Sequence, residues 1–529
     1  MILPTPPSTP DSQSQHNEKL CESQSEDGST DSTDILDSYP EFASTEALDK
    51  LRETEYAYLD AQDHVYLDYT GAGLAAQAQH RAHADRLSST LFGNPHSESP
   101  TSNAATEAVE DARRRVLEHF NASPKEYVAI FTPNATGAAR LVGESYPFRR
   151  GNRLVMTADN HNSVNGLREF VKRRHVRTVY ISSSGPDLRV DRRDVERALV
   201  DDDSSSSCLS LFRSLLPRFR KKARSGEKGR SGLFAYPAQS NFSGVRHPLE
   251  WVNLAQDNGY RVLLDAAAYL PTATLDLSGT VKPDFIIASW YKLFGYPTGL
   301  GCLVVRRDAL ECLRRPWFAG GTVQAVSVRL PEWHVMACNE ARYEDGTVNF
   351  QAIPDVAVGL DWLKGVGMPI IQTRVRCLTG WFLERLVQLR HSDGRPMVLL
   401  YGPQNTKMRG GTVTFNFLDA AGKIVDERLV ATDSTEARIS LRTGCFCNPG
   451  CGEEAFGLTV SSLSPLRHTR MRSVDDYIRA IGLPSAGAIR VSFGLASNAR
   501  DVNRFFEWAE TAYRDRVTTT DGLTPRGGC

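Results

Sequence analysis

No run of apolar residues in this 529-residue chain approaches the roughly 18 needed to cross a bilayer, so nothing points to a membrane span. Charge of one sign is also missing: 62 Lys and Arg stand against 63 Asp and Glu, which gives no reason to expect a nucleic acid or another polyanion as partner. The opening residues, MILPTPPSTPDSQSQ, lack the basic stretch and apolar core of a secretory signal, and the expected location is cytoplasmic. Cysteine is sparse, ten in all, with neither the density nor the spacing of a secreted disulfide scaffold. What remains is 41% hydrophobic and 24% charged, a globular composition long enough for two or three domains or one large two-part unit.

Residues 1–43 are rich in Ser, Thr, Pro and acidic residues and nearly free of aromatics. They bury too little apolar surface to offset chain entropy, and a disordered tail is expected. A second such stretch, 201–231, opens with DDDSSSS and carries a basic run over 213–230. It reads as a solvated insertion, with a nuclear-import or nucleic-acid patch as the alternative. The segment 516–529 reads as a loose tail.

Between these, short apolar runs at residues 127–132, 153–157, 178–182, 232–236, 260–265 and 284–289 alternate with helical patterns such as 164–174 and 249–258. This predicts an α/β core with a mostly parallel sheet over residues 44–340. From about residue 370 the pattern becomes a helix (373–390), short strands (411–418, 439–442, 488–493) and a last helix (502–514), read as a smaller α+β domain over 341–515. In parallel sheets ligands sit beyond the carboxyl ends of the strands, and most of the polar motifs in this chain follow such an end.

Lys292, in SWYKLFGYPTGLG, directly follows a buried strand and precedes glycines that admit close approach of a ligand. A buried lysine is a nucleophile suited to a Schiff base with an aldehyde cofactor. Asp265 ends the strand in RVLLDAAAY and fits the acid that pairs with a pyridinium nitrogen; a turn cap is its plainer reading. Thr136 and Gly137, in FTPNATGAARLV, open a helix whose free N–H groups favour a phosphate, unless they only cap it. His161, in MTADNHNSVNG, would stack on an aromatic cofactor if it faces the cleft. Asn241 follows another strand, and Arg490 in AIRVSFG is able to clamp a carboxylate, against a turn amide and a surface ion pair. In RTGCFCNPGC three cysteines crowd together. A zinc site is one reading, with His468 the only nearby histidine; a thiolate on a flexible glycine-bounded loop is the better one.

Together YLDYTGAG, LFGNPHS, NATGA, DNHNS, YPAQSNFSG, SWYKLFGYPTGLG and RTGCFCNPG resemble the class V aminotransferase-like family, in particular the cysteine desulfurases. Within it the chain is similar to the amino-terminal, sulfur-mobilising half of molybdenum cofactor sulfurases, over about residues 56–512. The resemblance implies a fold-type I transferase with a mostly parallel seven-stranded sheet. It also implies pyridoxal 5'-phosphate as cofactor, L-cysteine as substrate and a homodimer.

By the same resemblance Lys292 forms the Schiff base, Asp265 meets the ring nitrogen and His161 stacks on the ring. Thr136, Gly137 and Ser289 bind the phosphate, and Thr322, in AGGT, reaches a phosphate across the dimer interface. Asn241 and Arg490 hold the substrate carboxylate region. Cys447 receives the sulfur as a persulfide, with Cys445 second in rank. The implied acceptor is the molybdenum cofactor or a protein carrying it, since the cofactor-binding half of such sulfurases is expected to be missing here. Two positions depart from the desulfurase pattern: Tyr291 stands where His often precedes the lysine, and Ala268 where Gln often follows the aspartate. A pyridoxal-phosphate C–S lyase of specialised metabolism and a catalytically silent scaffold are the competing readings.

Overall fold

The computed structural model describes residues 33–200, 232–467 and 470–526. The expectations for residues 1–32, for the insertion 201–231, for His468 and for 527–529 lie outside the described residues.

Seven strands form the main sheet: β1 (Tyr127–Thr132), β2 (Arg153–Thr157), β3 (Arg177–Ile181), β4 (Gly232–Pro237), β5 (Tyr260–Asp265), β6 (Phe285–Ser289) and β7 (Gly301–Arg306). Their spatial order is β1-β7-β6-β5-β4-β2-β3, and every pairing is parallel except those on either side of β7. Strands β1, β4, β5 and β6 are buried at every residue, because helices cover both faces of the sheet. Such strands read as unbroken apolar runs rather than as alternation. Sequence reasoning placed six strands and missed β7 as a separate element, since its apolar run follows the glycine-rich stretch after Lys292.

A four-stranded antiparallel sheet builds the smaller domain: β8 (Val398–Tyr401), β9 (Thr412–Phe417), β10 (Arg442–Gly444) and β11 (Ala488–Ser492), in the order β8-β9-β11-β10. Phe415 and Phe417 of β9 pack against Phe382 and Phe505 from two covering helices. The expected strand over 439–442 is split. Ile439–Ser440 pairs with Val65–Tyr66 near the start of the chain, whereas β10 pairs with β11.

Three expected boundaries shift. Residues 33–43, expected to be disordered, are structured: Thr33–Ser38 is helical, Ile35 and Phe42 are buried, and the Arg374 guanidinium lies 4.4 Å from the Phe42 ring. Those two apolar side chains supply burial that the polar composition of the segment does not suggest. The helix Pro354–Val366, expected in the smaller domain, packs on Pro100–His119 beside the main sheet. Residues 516–526 are not loose, because Arg526 bonds Asp426 (2.7 Å), Glu427 (2.6 Å) and Asp475 (2.6 Å).

Arg374 is the main tie of the docked amino-terminal segment: its fully buried side chain donates to the Thr45 carbonyl (2.6 Å) and to both Asp49 oxygens (2.8 and 2.6 Å). Arg374→Ala is expected to cost about 2 kcal/mol through these lost charge-assisted bonds. Hydrogen exchange would then show residues 33–49 opening ahead of the main sheet; unchanged protection there would contradict this account.

Candidate active site

The carboxyl ends of β1, β2, β4, β5 and β6 open on one side of the sheet, and the segments that follow them enclose a cavity of about 350 Å³. Thr136, His161, Asn241, Asp265, Ser289 and Lys292 all line it. Six of the residues singled out from sequence thus meet in one place. Sequence reasoning missed Asn134, Ser163 and Gln239 as lining residues. Their signal was the same, a position just beyond a strand end.

Lys292 sits on the short helix Trp290–Phe294 that immediately follows β6. Burial pushes its ammonium pKa down, and the Asp265 carboxylate partly opposes that shift. Burial likewise raises the Asp265 pKa, countered by the Ala267 N–H at 3.0 Å and by Lys292. Both shifts favour the uncharged forms, so the lysine is poised as an amine nucleophile. Gly295 makes the turn possible: its φ is +77°, and a Cβ there would lie 2.2 Å from the Ala75 backbone nitrogen.

At the opposite lip, Asn134 caps the helix Ala135–Ser145 by accepting the Gly137 N–H at 2.9 Å. The Ala135 N–H reaches the Ser289 hydroxyl at 3.3 Å, and the Thr136 and Ser163 hydroxyls bond at 2.7 Å. Three hydroxyls gathered at a helix N-terminus form an anion cradle, which suits a phosphate. Gly137 itself lines a neighbouring cavity, so its share in the cradle is confined to the backbone that Asn134 holds.

The His161 Nδ1 accepts the Ser163 N–H at 3.1 Å, which leaves the proton on Nε2. Burial, with Lys292 and Arg490 adding positive charge, lowers its pKa to about 4. The imidazole is therefore neutral near pH 7, as a flat ring stacked on a cofactor would be. Amine, carboxylate, neutral imidazole and anion cradle together are a donor set that fits pyridoxal phosphate.

Arg490, from β11, is buried between the domains. It donates to the Asn241 carbonyl at 3.1 Å and to Asp68 at 3.0 Å, while its Nε has no partner among the described residues. Asp68 also receives Arg442 at 2.6 Å.

The loop after β10 carries the clustered cysteines. Cys445 is partly buried and is not among the free cysteines. Cys451 is fully buried, 3.7 Å from the Ser240 hydroxyl, and burial pushes its thiol pKa far up. Cys447 is a free, partly exposed thiol. It is not among the residues lining the cavity, but its carbonyl accepts the Asn162 N–H at 2.7 Å, next to His161. Of the three, Cys447 is the one that is both free and partly exposed.

Thr322 is not brought to this cavity. It is buried, and its hydroxyl is engaged in its own turn, accepting from the Ala319 N–H (2.8 Å) and donating to the Ala319 carbonyl (2.9 Å).

His161 also makes a pH prediction. Its folded pKa lies below the ordinary imidazole value of about 6.5, so the unfolded chain gains a proton that the folded chain refuses as pH falls from about 6.5 towards 4. Stability of the cofactor-free protein should drop across that window, and His161→Gln should flatten the drop in melting scans. An unchanged slope would contradict the assigned burial.

A family model described as "Aminotransferase class-V" matches residues 65–204 and 221–505. The chain is 36% identical over 498 residues to a molybdenum cofactor sulfurase of Solanum lycopersicum, covering 90% of this chain and 59% of that protein. A molybdenum cofactor sulfurase of Arabidopsis thaliana is 33% identical over 512 residues, covering 91% and 60%. The chain thus spans about three fifths of the length of these relatives. Among solved structures, the apo cysteine desulfurase of Thermococcus onnurineus NA1 superposes with a TM-score of 0.67 at 21% identity, over 88% of this chain and 97% of that one. That likeness bears out the seven-stranded, mostly parallel α/β fold expected from sequence. With the family model covering most of its length, the chain belongs to the class V aminotransferases, a pyridoxal-phosphate-dependent family.

Proposed function

We propose that the chain is a pyridoxal-phosphate-dependent L-cysteine desulfurase that carries sulfur as a persulfide on Cys447, for delivery to the molybdenum cofactor or a protein that holds it. The observation that carries this is a single cavity lined by Lys292, Asp265 and His161, with a free cysteine tied to its rim through Asn162. The names of the relatives, molybdenum cofactor sulfurase and cysteine desulfurase, support the substrate and the acceptor.

When bound, pyridoxal phosphate supplies an aldehyde for the substrate amine and a ring that accepts the electron pair released at the substrate Cα. Lys292 anchors it, and the hydroxyls of Thr136, Ser163 and Ser289 hold its phosphate. Asp265 would pair with the ring nitrogen and favour its protonated form, and the neutral His161 ring would lie beside the cofactor ring. Arg490 and Asn241 bind the substrate carboxylate and so fix the Cα–H bond toward the Lys292 amine, which takes the proton at Nζ. The Cys447 thiolate attacks the substrate sulfur; an S–S bond forms as the substrate Cβ–S bond breaks. The electron pair of that bond stays on carbon and is protonated, so alanine leaves and the persulfide remains on Cys447.

The same reading makes the protein a cytoplasmic homodimer in which Thr322 of one copy approaches the phosphate of the other, leaving its turn with Ala319 to do so. Exposed Val326, Val328, Leu330 and Trp333, just beyond Thr322, support an interface there. Among the described residues, no helix is long and apolar enough to cross a membrane.

Purified protein should be yellow, and Lys292→Ala should lose the cofactor's near-visible absorbance. Failure of the wild type to take up added pyridoxal phosphate would remove the proposal. Incubation with L-cysteine should give alanine and a persulfide mapped to Cys447. Cys447→Ser should lower alanine output at least about 100-fold, the loss expected of a residue that makes the covalent intermediate. Pyruvate and ammonia in place of alanine would identify a C–S lyase instead.

A further inference from the structure

The backbone at Cys447 is held in a conformation it would not choose. Phe446 and Cys447 have φ values of +53° and +52°, the left-handed region that disfavours side chains other than glycine's. Two consecutive residues there persist only where the surroundings impose it. The ties are identifiable. Asn241 donates to the Phe446 carbonyl at 2.8 Å. The Asn448 side chain, fully buried, spends its two N–H groups on the Asn241 side-chain oxygen (2.9 Å) and the Asp159 carbonyl (2.8 Å). Its own oxygen caps the following helix, Pro449–Ala455, by accepting the Cys451 N–H at 3.2 Å. Gly450 lets this turn press on the main domain: a Cβ there would lie 2.1 Å from the Ala158 carbonyl oxygen.

Asn241 therefore faces two ways. It lines the cavity, it grips the cysteine loop through Phe446 and Asn448, and its own carbonyl is held by Arg490. We propose that Asn448 and Asn241 form a latch that keeps Cys447 docked at the rim in a strained turn, and that a substrate carboxylate engaging Asn241 and Arg490 opens it. Asn448 is a positioning residue in this scheme. It acts on the sulfur-accepting loop only through Asn241 and the Asp159 backbone.

Substrate binding draws the Asn241 amide away from the Phe446 carbonyl. The turn then relaxes out of its left-handed geometry and frees the thiol to move. The thiol is thus released when an amino acid is present to receive it and is restrained otherwise. The inference rests on the reading of Asn241 and Arg490 as the carboxylate site.

The test uses the holoenzyme and L-alanine, which has the amine and carboxylate of the substrate but no sulfur to transfer. Its binding is read as a change in the cofactor's absorbance. The state of the latch is read as the rate at which iodoacetamide alkylates Cys447, measured by peptide mass spectrometry with the exposed Cys338 as internal control. In wild type, L-alanine should raise Cys447 alkylation about fivefold, the worth of one hydrogen bond, and leave Cys338 unchanged.

Asn448→Asp keeps the oxygen that caps the helix but has no N–H to donate, and Asn448→Ser keeps a capping oxygen on a shorter arm. In both, alkylation should already be raised about fivefold without L-alanine and should respond no further, while the absorbance change persists. An absorbance change in wild type with no change in Cys447 alkylation overturns the latch alone. Variants that respond to L-alanine as the wild type does also overturn it. No absorbance change on saturating L-alanine overturns the carboxylate site, and the latch with it.

Discussion

Strands β4, β5 and β6 are buried on both faces, so polar chemistry finds room only where they end. Asp265 is the last residue of β5, and Lys292 stands three residues beyond the end of β6, its neighbour in the sheet. Two groups that would each be costly to bury alone are thereby placed in one cavity, where each partly offsets the other's loss of water. The remaining features are arranged around that pair. The helix N-terminus with its hydroxyls closes one side, His161 follows the end of β2, and the cysteine loop of the smaller domain is tied to Asn162 beside it.

The joint between the domains combines an apolar cluster, in which Leu188 and Phe242 meet Tyr401, Phe446 and Ala488, with a polar chain of hydrogen bonds. Asp68, near the start of the chain, bonds both Arg490 and Arg442 from the smaller domain, and Arg490 continues to the Asn241 carbonyl in the larger one. Asn241 and Asn448 extend the same connection to the cysteine loop. Arg490, Asn241, Asn448 and the Phe446 carbonyl are thus linked through one chain of hydrogen bonds, in which the Arg490 Nε has no partner among the described residues.

Much of the site was legible because strand ends are legible. Lys292, Asp265, His161, Thr136, Asn241 and Ser289 all follow or close apolar runs, and the chain brings them to one cavity. Ser163 and Gln239 were equally placed but carry side chains so common in turns that no chemistry pointed to them. The docking of residues 33–43 was hidden because it rests on two apolar side chains in a polar stretch and on an arginine more than 300 positions away. Thr322 could not be placed by local pattern in the same way, since within one copy its hydroxyl is engaged by Ala319 of its own turn.

Local sequence determined the elements, the strand termini and the identities of the amine, the acid and the cluster of cysteines, because burial period and end position are properties of short segments. Only the tertiary structure decided which of three neighbouring cysteines is available. Cys451 is fully buried and Cys445 is not a free cysteine, while the Cys447 segment is held by amides contributed from two other strand ends. Solvent exposure and long-range hydrogen bonding depend on what the rest of the chain places beside a residue, and no window of sequence around residues 445–451 contains that.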